Sequence, residues 1–328
     1  MAWKNPWYDP LLPHHAPEGF HNPEPDPRRP GDFRRWRRER KAAGLPRPPA
    51  EGYAGFCRRW WQAADLSGSG DAVWWLGHAS LLLRLQQRYV LIDPVLSARA
   101  SPLPFAGPAR KTPPPLVVDD LPGLDWLLIS HNHYDHLDRR TVRQLLRRFP
   151  DVEVVVPLGL KRWFSRLGAR RVVELDWWQS HARDGWVVHA VPARHWSMRT
   201  PFDRNRSLWC GFVLQAPGLR FWFSGDSGAS DRLLAIPQRL GPFNLLALPT
   251  GAWQPEWFMQ GQHMNPAQAV ALWRACGMPL TLPIHWGVFE LADESLDAAP
   301  AALAAAVAAW PDARDTFLPW KIGERRDR

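Results

Sequence analysis

The 328 residues, 45% of them hydrophobic, suffice for a large core in one sizeable domain or in two packed halves. Three scattered cysteines (Cys57, Cys210, Cys276) exclude a disulfide framework, and no apolar run is long enough to span a bilayer. A formal charge of +9 favours anionic partners, either phosphate esters or an acidic membrane surface.

The stretch from Met1 to Pro6 has no apolar segment of the secretory kind, which points to a reducing, cytoplasmic compartment with any membrane contact peripheral. Residues 1–70 read as a proline- and arginine-rich arm, partly packed on the domain that follows. Within it, Arg34-Arg35-Trp36-Arg37-Arg38-Glu39-Arg40-Lys41 is a basic run with one aromatic inside. That run reads equally as a solvated surface and as a dock for anionic lipid or nucleic acid. Phe56, Trp60 and Trp61 are expected to pack back on the domain.

Residues 71–328 form the ordered domain, with strands expected at 73–80, 81–85 and 89–94, the last ending near Asp93. After a proline-rich loop at 101–115, residues 126–130 form a buried strand. It runs into His131-Asn132-His133-Tyr134-Asp135-His136-Leu137-Asp138. Val142, Leu145 and Leu146 at helical spacing predict a helix over 139–148, capped by Asp138. Strands at 152–157 and 171–175 flank a helix at 160–167, and a strand at 186–192 delivers His195. Residues 208–214 and 219–223 read as a hairpin about Pro217-Gly218, leading into Gly225-Asp226. A strand at 245–248, a helix at 266–276 behind Asn265, a strand at 280–284 delivering His285 and a helix at 301–310 complete the pattern. Strands alternating with short helices predict packed α/β layers. Each candidate ligand stands at the carboxyl end of a strand, where such sheets build their sites.

Imidazole and carboxylate without a nearby thiol are the ligand set of zinc and similar borderline metals. His131 and His133, two apart in an extended segment, project to the same side and can share one ion. Asp135 and His136 are adjacent, so the loop must turn for both to reach a second ion. Taken alone, His195 or His285 is more ordinary as a core or surface histidine than as a ligand.

His131-x-His133-x-Asp135-His136, followed by His195, Gly225-Asp226 and His285, resembles the ligand order of the metallo-β-lactamase superfamily. The resemblance implies an α/β fold, the four-layer αβ/βα sandwich, and two Zn2+ ions or another divalent metal. His131, His133 and His195 would hold the first ion, Asp135, His136 and His285 the second, with Asp226 bridging. Such a metal pair lowers the pKa of bound water and clamps the oxygens of a displacement at phosphorus. Asp93, at a strand end, and His78 are candidates for orienting the ligands.

Asp93-Pro94-Val95, Val156-Pro157-Leu158-Gly159-Leu160, Glu174-Leu175-Asp176-Trp177-Trp178, Trp257-Phe258-Met259 and His285-Trp286-Gly287 are similar to the N-acyl-phosphatidylethanolamine phospholipase D branch. That similarity implies hydrolysis of a phospholipid on its head-group side, giving phosphatidic acid and an N-acylethanolamine. His263 matches a family histidine near the reacting phosphate, and with Asp135 it is the candidate catalytic pair. Trp253, Trp257, Phe258 and Met259 are candidates for an acyl-chain groove, with a plain core loop as the alternative. Gln254 and Glu256 depart from the pattern of animal members. The expected partner is a phospholipid or another phosphodiester, with peripheral membrane contact; nucleic acid is disfavoured, and a homodimer is compatible with the sequence. The competing functions are a zinc hydrolase of a lactone or small ester, a nucleic-acid phosphodiesterase using the basic arm, and a metal-bearing membrane adaptor without turnover.

Overall fold

Alternation along the strands decides which layer each side chain joins. A computed structural model of the chain describes residues 3–327; Met1, Ala2 and Arg328 lie outside it, and with them the start of the stretch read for a secretory signal. In chain order, the arm contains a small hairpin, β1 (His15–Ala16) and β2 (Gly19–Phe20), then α1 (Asp32–Ala42) and α2 (Gly52–Trp60). The first half of the domain follows as β3 (Ala72–Gly77), β4 (Ser80–Leu85), β5 (Arg88–Ile92), β6 (Trp126–Leu128), α3 (Arg139–Arg148), β7 (Glu153–Pro157), α4 (Lys161–Arg166) and β8 (Arg171–Leu175). The second half is β9 (Ser180–Arg183), β10 (Trp186–Val191), β11 (Gly211–Ala216), β12 (Leu219–Phe223), α5 (Ala235–Leu240), β13 (Leu245–Pro249), α6 (Glu256–Met259), α7 (Pro266–Ala275), β14 (Leu280–Ile284), α8 (Ala298–Val307) and β15 (Arg325–Asp327).

The strands make a seven-stranded sheet, β15-β3-β4-β5-β6-β7-β8, and a six-stranded one, β14-β13-β12-β11-β10-β9. Val73 and Trp75 of β3 point inward to meet Phe221 and Phe223 of β12 in the core between the sheets. Their neighbours Trp74 and Leu76 point outward and pack with Val142 and Leu145 of α3 and Phe164 of α4. On the far face, Trp222 and Leu246 pack with Val270 and Trp273 of α7 and Leu303 of α8. Two-residue periodicity thus sorts each strand into an inner and an outer layer. The result is the four-layer αβ/βα sandwich.

Local chemistry fixes the helix ends. Asp138 caps α3 by accepting from the Arg140 N–H. Asn265 and Gln268 form a reciprocal capping box at α7, whose first residue is Pro266. The hairpin about Pro217-Gly218 forms, with Ala216 opposite Leu219, but its first strand starts at Gly211, not at 208. Residues 208–210 run as a loop into it, since the Cys210 N–H pairs with Ser130 O beside the histidine-rich loop. β9 and β15 were not legible in the sequence, because their polar, half-exposed residues carry no apolar alternation.

The arm departs most from the sequence reading. Arg34, Arg35, Arg37, Arg38 and Lys41 are exposed as expected, on the solvated surface of a folded helix. Trp36 is buried on its other face, stacked at 4.9 Å on Phe258 and donating Nε1–H to Asp293 at 2.9 Å. α2 packs Phe56 against the core, and Trp61 bridges to Ile322.

Candidate metal centre

His131, His195, Asp226 and His285 all follow the carboxyl ends of strands, β6, β10, β12 and β14. Close approach of these loops dictates glycine beside them. A Cβ on Gly251 would lie 2.1 Å from the His285 carbonyl, and Gly225 adopts φ +64 against Cys210 O. The histidine-rich loop turns at His133, whose carbonyl accepts the N–H groups of His136 and Leu137. That turn brings Asp135 and His136 round toward His285.

Three ring nitrogens converge at one point: His131 Nε2 is 2.8 Å and His195 Nε2 3.1 Å from His133 Nδ1. Beside them, the Asp226 carboxylate reaches His285 Nε2 at 2.9 Å, His136 Nε2 at 3.1 Å and His195 Nε2 at 3.6 Å. Asp135 lies 3.5 Å from His285 and 3.6 Å from His136. All seven residues named from the sequence therefore meet in one place, as two groups with Asp226 between them.

A second set of contacts orients the first. The Asp93 carboxylate accepts His136 Nδ1–H at 2.7 Å and the Ser130 hydroxyl proton, and the Ser130 oxygen accepts His131 Nδ1–H at 2.9 Å. One carboxylate thus fixes two imidazoles so that both Nε2 atoms face inward. His195 Nδ1–H donates to Gln262 O at 3.0 Å. His78 Nε2–H donates to Asp135 at 2.9 Å. Asp93 and His78 both sit in the left-handed region, at φ 43 and φ 53. Ser130 and Gln262 carry no sequence signal of their own; Ser130 is recognisable only as the residue between strand and loop.

The donor set suits a divalent metal. Burial pushes His195 down to about 3 and His133 to about 4, and holds His131 well below the ordinary histidine range. These imidazoles are therefore neutral and ligand-ready. Burial opposes ionisation of Asp135 and Asp226, but the neighbouring histidines outweigh it and hold both carboxyls well below their usual value. Burial likewise opposes protonation of His136 and His285, and the same carboxylates overcome it, raising His136 well above its range and His285 to about 9. Positive charge is thus demanded between these carboxylates. His136 Nε2, His285 Nε2 and Asp226 Oδ1 are buried without a hydrogen-bond partner, atoms that a polar interior does not leave idle.

His133, Asp135, His195, Asp226 and His285 of the centre line a cavity of about 840 Å³. Phe258 and Met259 line it together with Phe33 and Trp36 from α1, which pack beside Phe258, and with Arg28 and Arg204. His263 lines it too, its ring centroid 5.1 Å from that of His195 and 4.9 Å from that of His285. Trp253 and Trp257 do not line this cavity, contrary to the expectation. The four-residue helix α6 turns Phe258 and Met259 inward and leaves Trp257 half-buried under Arg35, 4.3 Å away, while the Trp253 backbone is tied to Glu294. The arm takes their place, and Trp36 inside the arginine run was the signal for it.

The profile of the beta-lactamase superfamily domain matches residues 88–286. Over 235 residues, 69% of this chain and 66% of the relative, the chain is 39% identical to the N-acyl-phosphatidylethanolamine-hydrolyzing phospholipase D 1 of Caenorhabditis elegans. It is 33% identical to the mitochondrial enzyme of the same description from Saccharomyces cerevisiae, over 67% of this chain and 48% of that one. The chain thus matches less than two thirds of either relative's length. Among solved structures, a possible metal-dependent hydrolase from Veillonella parvula superposes with a TM-score of 0.65 at 16% identity, covering 80% of this chain and all of that one; at this identity the likeness concerns the fold. The chain belongs to the metallo-β-lactamase superfamily, in the branch that resembles the N-acyl-phosphatidylethanolamine-hydrolysing phospholipases D.

Proposed function

We propose that the protein is a metal-dependent hydrolase, a dinuclear zinc phosphodiesterase that cleaves N-acyl-phosphatidylethanolamine or a similar lipid on its head-group side. The observation that carries this reading is the meeting of the seven ligand-type residues, of which His133, Asp135, His195, Asp226 and His285 line a largely apolar cavity. His131, His133 and His195 would hold one ion, Asp135, His136 and His285 the other, with Asp226 shared. When bound, the metal pair supplies a low-pKa water as nucleophile and neutralises charge developing on the phosphoryl oxygens.

The chain's own residues do the rest. Asp93, through His136 directly and His131 by way of Ser130, keeps the ligand nitrogens aimed inward. His263, with Nδ1 buried and unpaired, is placed to hold or donate a proton at the leaving oxygen. Phe258, Met259 and Trp36 exclude water and offer apolar surface to acyl chains, while Arg28 and Arg204 offer positive charge to a phosphate. A lactone would need no such walls, and this favours the lipid over the small ester.

α1 also supports contact with a membrane surface. Its outer face carries exposed Arg34, Arg37, Arg38 and Lys41, and Phe33, 56% exposed, stands at the rim of the cavity. Basic residues beside an exposed aromatic suit anionic lipid. Among the described residues no helix is long and apolar enough to cross a membrane.

The test is turnover by the zinc-loaded chain of N-acyl-phosphatidylethanolamine in mixed micelles, beside a soluble aryl phosphodiester and a lactone. N-acylethanolamine release, abolished by chelator and by His133→Ala in a folded protein, is the expected result. Reaction of the lactone alone would overturn the substrate class, and full activity of His133→Ala would overturn the site.

A further inference from the structure

Residues 20–28 of the arm run against His195 and hold it by its backbone. The Asn22 carboxamide bonds both backbone groups of that histidine: Nδ2 donates to its carbonyl at 2.8 Å, and Oδ1 accepts its N–H at 3.2 Å. His195 lies beyond the end of β10, and among the described residues no backbone group pairs with either its N–H or its carbonyl. Arg28 Nη1 donates to Gln262 Oε1 at 2.6 Å, and the carbonyl of that same Gln262 accepts His195 Nδ1–H. Pro27 lies so near Gly261 that a Cβ there would stand 2.7 Å from the proline ring.

The segment that makes these contacts is itself tied down. Phe20 is 2% exposed, and its N–H donates to Asn205 O at 2.8 Å. Arg194 Nη2 donates to Pro25 O at 3.0 Å. The Glu24 carboxylate accepts from Ser230 Oγ at 2.6 Å and from Arg232 Nε at 3.2 Å. Asn22 is therefore presented by an anchored strap, and its NH2 and carbonyl oxygen match the carbonyl and N–H of a loop histidine that no backbone group among the described residues serves.

We infer that Asn22 is a positioning residue for the metal centre: by fixing the His195 backbone it holds Nε2 on the point shared with His131 and His133. The inference rests on the reading of His195 as a metal ligand. It makes the N-terminal arm a part of the site, and not only a wall of the cavity or a dock for a surface. Alanine at position 22 leaves both His195 backbone groups without a protein partner. Aspartate keeps the acceptor for the N–H but sets a second oxygen against the carbonyl.

The test is zinc binding, independent of any lipid substrate. Full-length apo-protein is titrated with zinc in competition with a chromophoric chelator, for the wild type, Asn22→Ala, Asn22→Asp and Asn5→Ala. Asn5 ties the arm internally, donating to Ala16 O at 3.1 Å and Gly19 O at 2.8 Å, and does not touch His195. Affinity for at least one zinc ion is expected to fall about 10–100-fold in Asn22→Ala and less in Asn22→Asp, with Asn5→Ala binding as the wild type does. Wild-type affinity in Asn22→Ala, or an equal loss in Asn5→Ala, would overturn the inference. If Asn22→Ala fails to fold, wild-type affinity in Asn22→Asp would do so. A wild-type chain that binds no divalent ion would overturn the ligand assignment too, whereas lack of lipid turnover with zinc binding as expected would count against the proposed function alone.

Discussion

The Arg199 guanidinium lies 4.0 Å over the ring of Tyr134, and its Nη1 donates to the carbonyls of Asn132 and Leu137 at 2.8 and 2.7 Å. One half-buried cation thereby closes the histidine-rich loop across its whole width. Burial lowers its pKa, opposed by Tyr134, Asp138 and Asp203. Arg199→Ala is expected to destabilise the chain by about 1–3 kcal/mol through unsatisfied buried carbonyls. Arg199→Lys, which keeps one point donor, should recover part of this, as read from urea unfolding.

Asp93 serves two imidazoles at once, so its loss should exceed that of a single contact. Asp93→Asn can still accept but also presents an NH2 group to His136 Nδ1 or Ser130. Zinc affinity is expected to fall about 10–100-fold, measured by chelator competition. Unchanged affinity would mean that the ligand loop holds the rings without this carboxylate.

The outer face of α1 can be tested apart from its inner face. Reversing Arg34, Arg37 and Arg38 to glutamate leaves Trp36 and the cavity wall in place. At about 1 kcal/mol per basic residue near an anionic surface, binding to phosphatidylserine-containing vesicles should weaken at least tenfold, with turnover of a soluble diester unchanged. Equal loss on both would argue that the helix acts only through the fold. Deleting residues 1–41 is no substitute, since it removes Asn22, Arg28 and Trp36 as well.

Asp176 supplies an acid-dependent contribution to stability. It accepts from His14 Nε2 at 2.7 Å and His15 Nε2 at 2.9 Å, pinning the N-terminal hairpin to the turn after β8. Burial opposes its ionisation, but the His14 bond and charge and the Trp177 N–H outweigh it and lower its pKa. A carboxyl depressed by folding stabilises fully above its unfolded value, near 4, and loses that contribution as pH falls through the lower folded value. The stability gap between wild type and Asp176→Asn should therefore be widest at neutral pH and close in acid; a gap independent of pH would show that the charge plays no part.

The sequence by itself determined the packed α/β layers and the cluster of ligand-type residues. Strands alternating with short helices pointed to packed α/β layers, because a sheet that is apolar on both faces must be covered on both. His131, His133, Asp135 and His136 were legible because four ligand-type residues lie within six positions, and Asp138 and Asn265 because capping is local. Tertiary structure decided what depends on distant segments meeting. Trp36, not Trp253 or Trp257, lines the cavity beside Phe258 because α1 folds back across more than 200 residues of chain. Asn22 reaches His195 over 173 residues, and Ser130 matters only because Asp93 arrives beside it from β5. No periodicity records such contacts, since each is a single polar or aromatic side chain whose partner is chosen by packing and not by spacing.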